Sequence, residues 1–147
     1  MTARVLRVDP SRPDPASVEA AAKALRDGAL VVFPTETVYG WAARADDPHA
    51  VRALREAKGR DEEKPLTLHL PSRRALEARF QPLPPGAARL APRRLPGPVT
   101  LVLPDRGGGT TGVRVPDDPV ARPVLEAGQC PVVATGVKPP GERAALR

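Results

Sequence analysis

Twenty prolines in 147 residues constrain this chain more than any other feature. Each proline removes a backbone donor and fixes φ, so the chain must be built from short elements joined by stiff turns, and a helical bundle is excluded. Arg4 to Val8 reads as a short strand stopped by Asp9-Pro10. Ser17 is placed to cap a helix in which Val18, Ala21, Ala22 and Leu25 recur at helical spacing, with Gly28 at the C-terminal cap. Ala29 to Phe33 is a continuous apolar run, as in a strand covered on both faces. Asp47-Pro48 starts a second helix with Val51 and Leu54 facing inward. Leu66 to Leu70 is the next strand, Ser72 opens a helix towards Phe80, and Ala87 to Ala91 makes a helical turn. Val99 to Leu103 and Gly112 to Val115 flank the glycine run at 107–109. Pro119 opens a helix through Glu126, closed by Gly128, before a strand from Val132 to Ala134. Strands and helices alternate with no internal repeat and no linker. That predicts one α/β domain with a mixed sheet over residues 1–147.

Composition narrows the classes of function. Only 3% of the residues are aromatic, so the core must be assembled from Ala, Val and Leu. The net charge is +6, and the lysines are limited to Lys23, Lys58, Lys64 and Lys138, so arginine dominates the cations. A basic surface favours anionic partners such as nucleotides or RNA, although genome composition or heat tolerance accounts for arginine richness equally well. A single cysteine, Cys130, excludes an intramolecular disulfide and a cysteine-based zinc site. No apolar run approaches membrane-spanning length and the N-terminus lacks an apolar signal core, so a cytoplasmic protein without a membrane partner is expected. Catalytic triads and metal-ligand spacings are absent, and the glycines at 107–109 lack the Gly-Lys-Ser/Thr ending of a phosphate loop.

Two segments carry candidate chemistry. Phe33-Pro34-Thr35-Glu36-Thr37-Val38-Tyr39-Gly40 runs off the end of a strand, where open α/β sheets place their ligands. In extended chain Thr35 and Thr37 point to one side and Glu36 to the other. The threonines either face a ligand or satisfy local turn hydrogen bonds. Lys58-Gly59-Arg60 sets two cations one residue apart after a helix. If that helix continues, Lys58 projects towards the sheet and needs an anion; otherwise the pair is a solvated cluster. His69 lies on a strand, either hydrogen-bonded in place or functional. Thr100 sits at a strand entrance behind Pro96-Gly97-Pro98, and Arg114 sits between Val113 and Val115 on the opposite face from them.

In order and spacing, Phe33 to Gly40, Ala57-Lys58-Gly59-Arg60, Lys64-Pro65-Leu66-Thr67-Leu68-His69, Pro96 to Leu103 and Gly112-Val113-Arg114-Val115-Pro116 together resemble the YrdC/Sua5/YciO family of L-threonylcarbamoyladenylate synthases. The resemblance covers about Val18 to Ala134. It implies a twisted mixed sheet flanked by helices, with a basic concave face. It implies an enzyme joining threonine, bicarbonate and ATP into threonylcarbamoyl-AMP for tRNA modification, with Mg2+ and release of pyrophosphate. By the same resemblance Lys58 and Arg60 are catalytic and face the ATP phosphates, Thr100 contacts the nucleotide, and Thr35, His69 and Arg114 bind substrate. Transfer tRNA or double-stranded RNA is an implied partner.

The resemblance fails at the C-terminal end. The family carries a Ser-x-Asn motif after the last strand. Here Ala134-Thr135-Gly136-Val137-Lys138-Pro139-Pro140-Gly141 puts Gly136 and Lys138 at those positions. Family domains usually continue beyond Arg147, so the expectation is a C-terminally shortened member. The alternative is a non-catalytic RNA- or nucleotide-binding paralogue.

Overall fold

The computed structural model describes residues 3–59 and 65–136; Arg60, Lys64 and Lys138 lie outside the described residues. The first two helices start at an aspartate directly ahead of a proline. In α1 (Pro15–Arg26), Asp14 accepts a hydrogen bond from Ala16 N, so capping begins three residues before Ser17. In α2 (Pro48–Lys58), Asp47 caps His49 N and Ala50 N, and Gly59 ends the helix in the left-handed region at φ 67°. Ser72 caps α3 (Arg73–Arg79) through Ala75 N. Helix α4 (Pro85–Arg94) extends past the single expected turn and runs through Pro92. Helix α5 is Ala121–Gly128.

The strands are β1 (Val31–Phe33), β2 (Gly40–Arg44), β3 (Thr67–His69), β4 (Leu101–Pro104), β5 (Thr110–Arg114) and β6 (Val132–Gly136). They form one mixed sheet in the order β1-β2-β6-β3-β5-β4, parallel only between β3 and β5. Three expectations need correction. Residues 4–8 form no strand: they find no sheet partner, and Val5 is 79% exposed. The run 29–33 is not covered on both faces, because β1 lies at the sheet edge and Val32 is 49% exposed. Strand β2 was not expected, since Gly40-Trp41-Ala42-Ala43-Arg44 has weak β propensity. Pairing with β1 on one side and β6 on the other overrides that preference.

Alternation along the strands sorts the helices between two faces. Val132 and Ala134 of β6 pack with Val18 and Leu25 of α1 and Val124 and Leu125 of α5. Val133, between them, turns to Ala50 and Leu54 of α2. Leu68, Leu101 and Val113 lie on the same side as Val133 by register and meet Leu76 of α3 and Ala91 of α4. Helices α2, α3 and α4 therefore cover one face, and α1 and α5 cover the β1-β2-β6 half of the other. Among the described residues no helix covers the β3-β5-β4 half of that second face, and Val102, on β4, is 67% exposed.

Candidate active site

A cavity of about 180 Å³ occupies this open half-face. Its floor follows from strand register. Thr67 and His69 of β3 lie beside Ala134 and Val132 of β6, and His69 pairs with Arg114 of β5. Side chains paired across strands share a face, so Thr67, His69, Arg114, Ala134 and Gly136 all turn into the cavity. Thr35 and Thr100 also line it. Four sequence-predicted site residues, Thr35, His69, Thr100 and Arg114, thus converge from four separate segments. Arg60 lies outside the described residues.

Lys58 reaches the same region from behind. Its helix buries Ala50, Leu54 and Lys58 at successive i+4 positions, with Val51 only half-buried, so Leu54 rather than Val51 marks the inward face. Lys58 is 8% exposed, and its Nζ donates to Gly136 O at 2.5 Å, at the end of β6. It touches the cavity through that strand end rather than lining it.

The 34–39 segment leaves extended geometry at once. Thr35 Oγ1 donates to Val38 O at 2.5 Å and accepts from Thr37 N and Val38 N, both at 3.2 Å. The local turn reading of this threonine is therefore realised, even as its side chain borders the cavity. The turn throws Glu36 across the sheet, where it pairs with Arg114 and accepts from Asp117 N. That contact escaped the sequence reading. The signal for it was Arg114 itself, a cation on a strand between two valines, which calls for an acid nearby.

His69 is 5% exposed, with its Nδ1 2.9 Å from Thr67 O. Burial pushes its pKa down to about 4; the Thr67 carbonyl opposes that shift, and the Arg114 charge adds to it. The ring is neutral at pH 7, Nδ1–H donates to Thr67 O, and Nε2 carries the free lone pair. Linkage fixes the sign of a pH effect. Between pH 6.5 and about 4 the unfolded chain protonates this histidine and the native one does not, so acid favours unfolding. Stability should fall by up to about 1.4 kcal/mol per pH unit in that window. Chemical denaturation of wild type and His69→Gln at pH 7 and pH 5 checks this, and an equal pH slope in the two proteins contradicts it.

Phe33 stacks obliquely on His69, with ring centroids 6.3 Å apart at 43°. Gly40 makes room for it: a Cβ there would lie 3.3 Å from the Phe33 ring. Among the described residues, no cluster of three or more His, Cys, Asp or Glu side chains is arranged to hold a metal ion. None of their helices is long and apolar enough to cross a membrane.

Comparison with known proteins places the sequence and the fold in a family. The family model Sua5_yciO_yrdC, described as "Telomere recombination", matches residues 23–147. Threonylcarbamoyl-AMP synthase of Pyrococcus abyssi is 41% identical over 126 residues, covering 80% of this chain and 37% of that protein. The Bacillus subtilis enzyme of the same name is 38% identical over 134 residues, covering 84% and 38%. A crystal structure of P. abyssi Sua5 complexed with L-threonine superposes with a TM-score of 0.84 at 37% identity, covering 91% of this chain and 42% of that one. The chain therefore spans about two-fifths of the length of these relatives.

Proposed function

The chain belongs to the Sua5/YciO/YrdC family, and on that footing we propose that it forms threonylcarbamoyl-AMP from L-threonine, bicarbonate and ATP for the N6-threonylcarbamoyladenosine of tRNA. The observation that carries the reading is the convergence of Thr35, His69, Thr100 and Arg114 on one cavity of the open sheet face, with Lys58 at the adjoining strand end. At about 180 Å³ the cavity is small for a nucleotide and suits an amino acid. ATP then lies over the open β3-β5-β4 surface beside it, with Thr100 at its border, and Lys58, at the end of β6, together with Arg60 is assigned to its phosphates.

The chemistry suits such residues. Threonine's amine and bicarbonate give a carbamate and water: the C–N bond forms as the bicarbonate hydroxyl leaves as water, and a carbamate oxygen then attacks the α-phosphorus of ATP. One P–O bond forms, the bond to the β-phosphate bridge breaks, and pyrophosphate leaves. The nucleophile is already anionic, so the barrier lies in bringing two negative centres together. Arg114, Lys58 and Arg60 lower it by neutralising charge. Neutral His69 offers Nε2 to a substrate N–H or O–H group. Mg2+ arrives on the ATP phosphates, as this ion commonly does.

Pyrophosphate release from ATP in the presence of threonine and bicarbonate tests the reading, with Lys58→Ala expected to lose it. No release, with Lys58→Ala indistinguishable from the wild type, removes the enzymatic assignment; release indifferent to Lys58→Ala removes only the role of Lys58. ATP binding without turnover would instead identify a non-catalytic paralogue.

The cytoplasm, where ATP and tRNA meet, is the compartment this reading assigns. RNA contact falls to the opposite face: α3 and α4 expose Arg73, Arg74, Arg79, Arg89, Arg93 and Arg94 against one acid, Glu77. Affinity for tRNA should fall steeply with salt. Arg89→Ala combined with Arg93→Ala and Arg94→Ala should flatten the slope of log K against log salt by about three. An unchanged slope excludes this surface.

A further inference from the structure

We infer that Glu36 is a positioning residue, which fixes the Arg114 guanidinium in the cavity so that it receives the substrate carboxylate in one orientation. The inference rests on the proposed function, since it takes threonine as the cavity's ligand. Sheet order gives its force. Glu36 follows β1 and precedes β2, whereas Arg114 ends β5, with β6 and β3 lying between β2 and β5. Glu36 bridges that gap. One carboxylate oxygen accepts from an Arg114 terminal nitrogen and the other from Asp117 N.

The segment it grips is firmly held. Pro116 is fully buried, and Asp118, 1% exposed, accepts from Val120 N and Ala121 N at 2.9 Å each. The second terminal nitrogen of Arg114 lies 3.5 Å from Thr37 Oγ1. Both ends of the fork are therefore engaged by the 36–37 turn. The Arg114 Nε is buried and has no hydrogen-bond partner, in a side chain that lines the cavity. A guanidinium carries five N–H donors, so with one terminal nitrogen engaged by Glu36 and the other by Thr37 its plane is fixed, and its remaining terminal N–H groups present directed donors to a small anion. His69, the register partner of Arg114, is neutral. Arg114 is thus the positive centre on this part of the cavity floor. At 16% and 18% side-chain exposure, Arg114 and Glu36 are screened enough by protein for orientation to matter.

The test is threonine affinity by calorimetry, with KM and kcat for threonine and ATP, in wild type and in Glu36→Ala, Glu36→Gln, Arg114→Ala and the Glu36→Ala/Arg114→Ala double variant. Glu36→Ala should weaken threonine binding about tenfold and raise KM for threonine while leaving KM for ATP unchanged. Glu36→Gln keeps an acceptor and the side-chain shape, so it should recover part of that loss and serves if the alanine variant fails to fold. In the Arg114→Ala background, Glu36→Ala should have no further effect on threonine affinity. Threonine binding unchanged in both Glu36 variants, or additive losses in the double variant, overturns the inference while leaving the proposed function standing. Absence of threonine binding by the wild type overturns both.

Discussion

Phe33→Ala is expected to destabilise the fold by about 3–5 kcal/mol, the range for removing a fully buried aromatic ring. Phe33 is 2% exposed and belongs to the cluster formed by α1, α5 and the inner strands. Its neighbours cannot close the void, because the adjoining residue on β2 is Gly40 and the floor is Ala42 and Ala134. For a chain of this size the thermal midpoint should drop by about 10 °C. A second readout separates this from ordinary core loss. Phe33 shields His69, whose pKa is held at about 4 chiefly by burial. Removing the ring admits solvent, and the His69 pKa should rise towards 6.5, read by NMR titration of its ring protons. A destabilised variant with His69 still titrating near 4 would show that Phe33 supports the core without shielding the site.

Much of this arrangement was legible in the chain because the site is built at strand ends. Thr35, His69, Thr100 and Arg114 each lie in a short apolar run or just beyond one, and period-two alternation sets the face of Arg114 opposite Val113 and Val115. The inward aim of Lys58 followed from helical spacing, although Ala50 and Leu54 define the face. What escaped notice depends on partners distant in sequence. Strand β2 exists because β1 and β6 offer backbone groups to it, which no local propensity encodes. Residues 4–8 fail as a strand for the converse reason, a β-like pattern with no neighbour. Glu36 seemed to point away from the threonines, since extended geometry was assumed. The Thr35 turn reverses the chain and carries Glu36 to a residue 78 positions away.

Gly136→Ser should raise pyrophosphate release, by up to about a hundredfold if the added hydroxyl acts as a transition-state donor. By the sequence resemblance Gly136 takes the place of the serine in the Ser-x-Asn motif, and it lines the cavity at the end of β6. The site has room for the change. A Cβ at Gly136 would meet Val38 Cγ2 at 3.5 Å, an ordinary contact, and its φ lies outside the left-handed region that favours glycine. Pairing with Gly40 on β2 and the bond from Lys58 Nζ both use the Gly136 backbone, so a side chain leaves them intact. Gly136→Ala supplies the matched control, because it adds the same Cβ without a hydroxyl. A gain confined to serine would identify the missing donor as what limits this chain. Equal gains in the two variants would point to stiffening of the strand end instead. Losses in both would mean that the cavity needs its floor at Gly136 bare, and the family's serine would then have no place in this site.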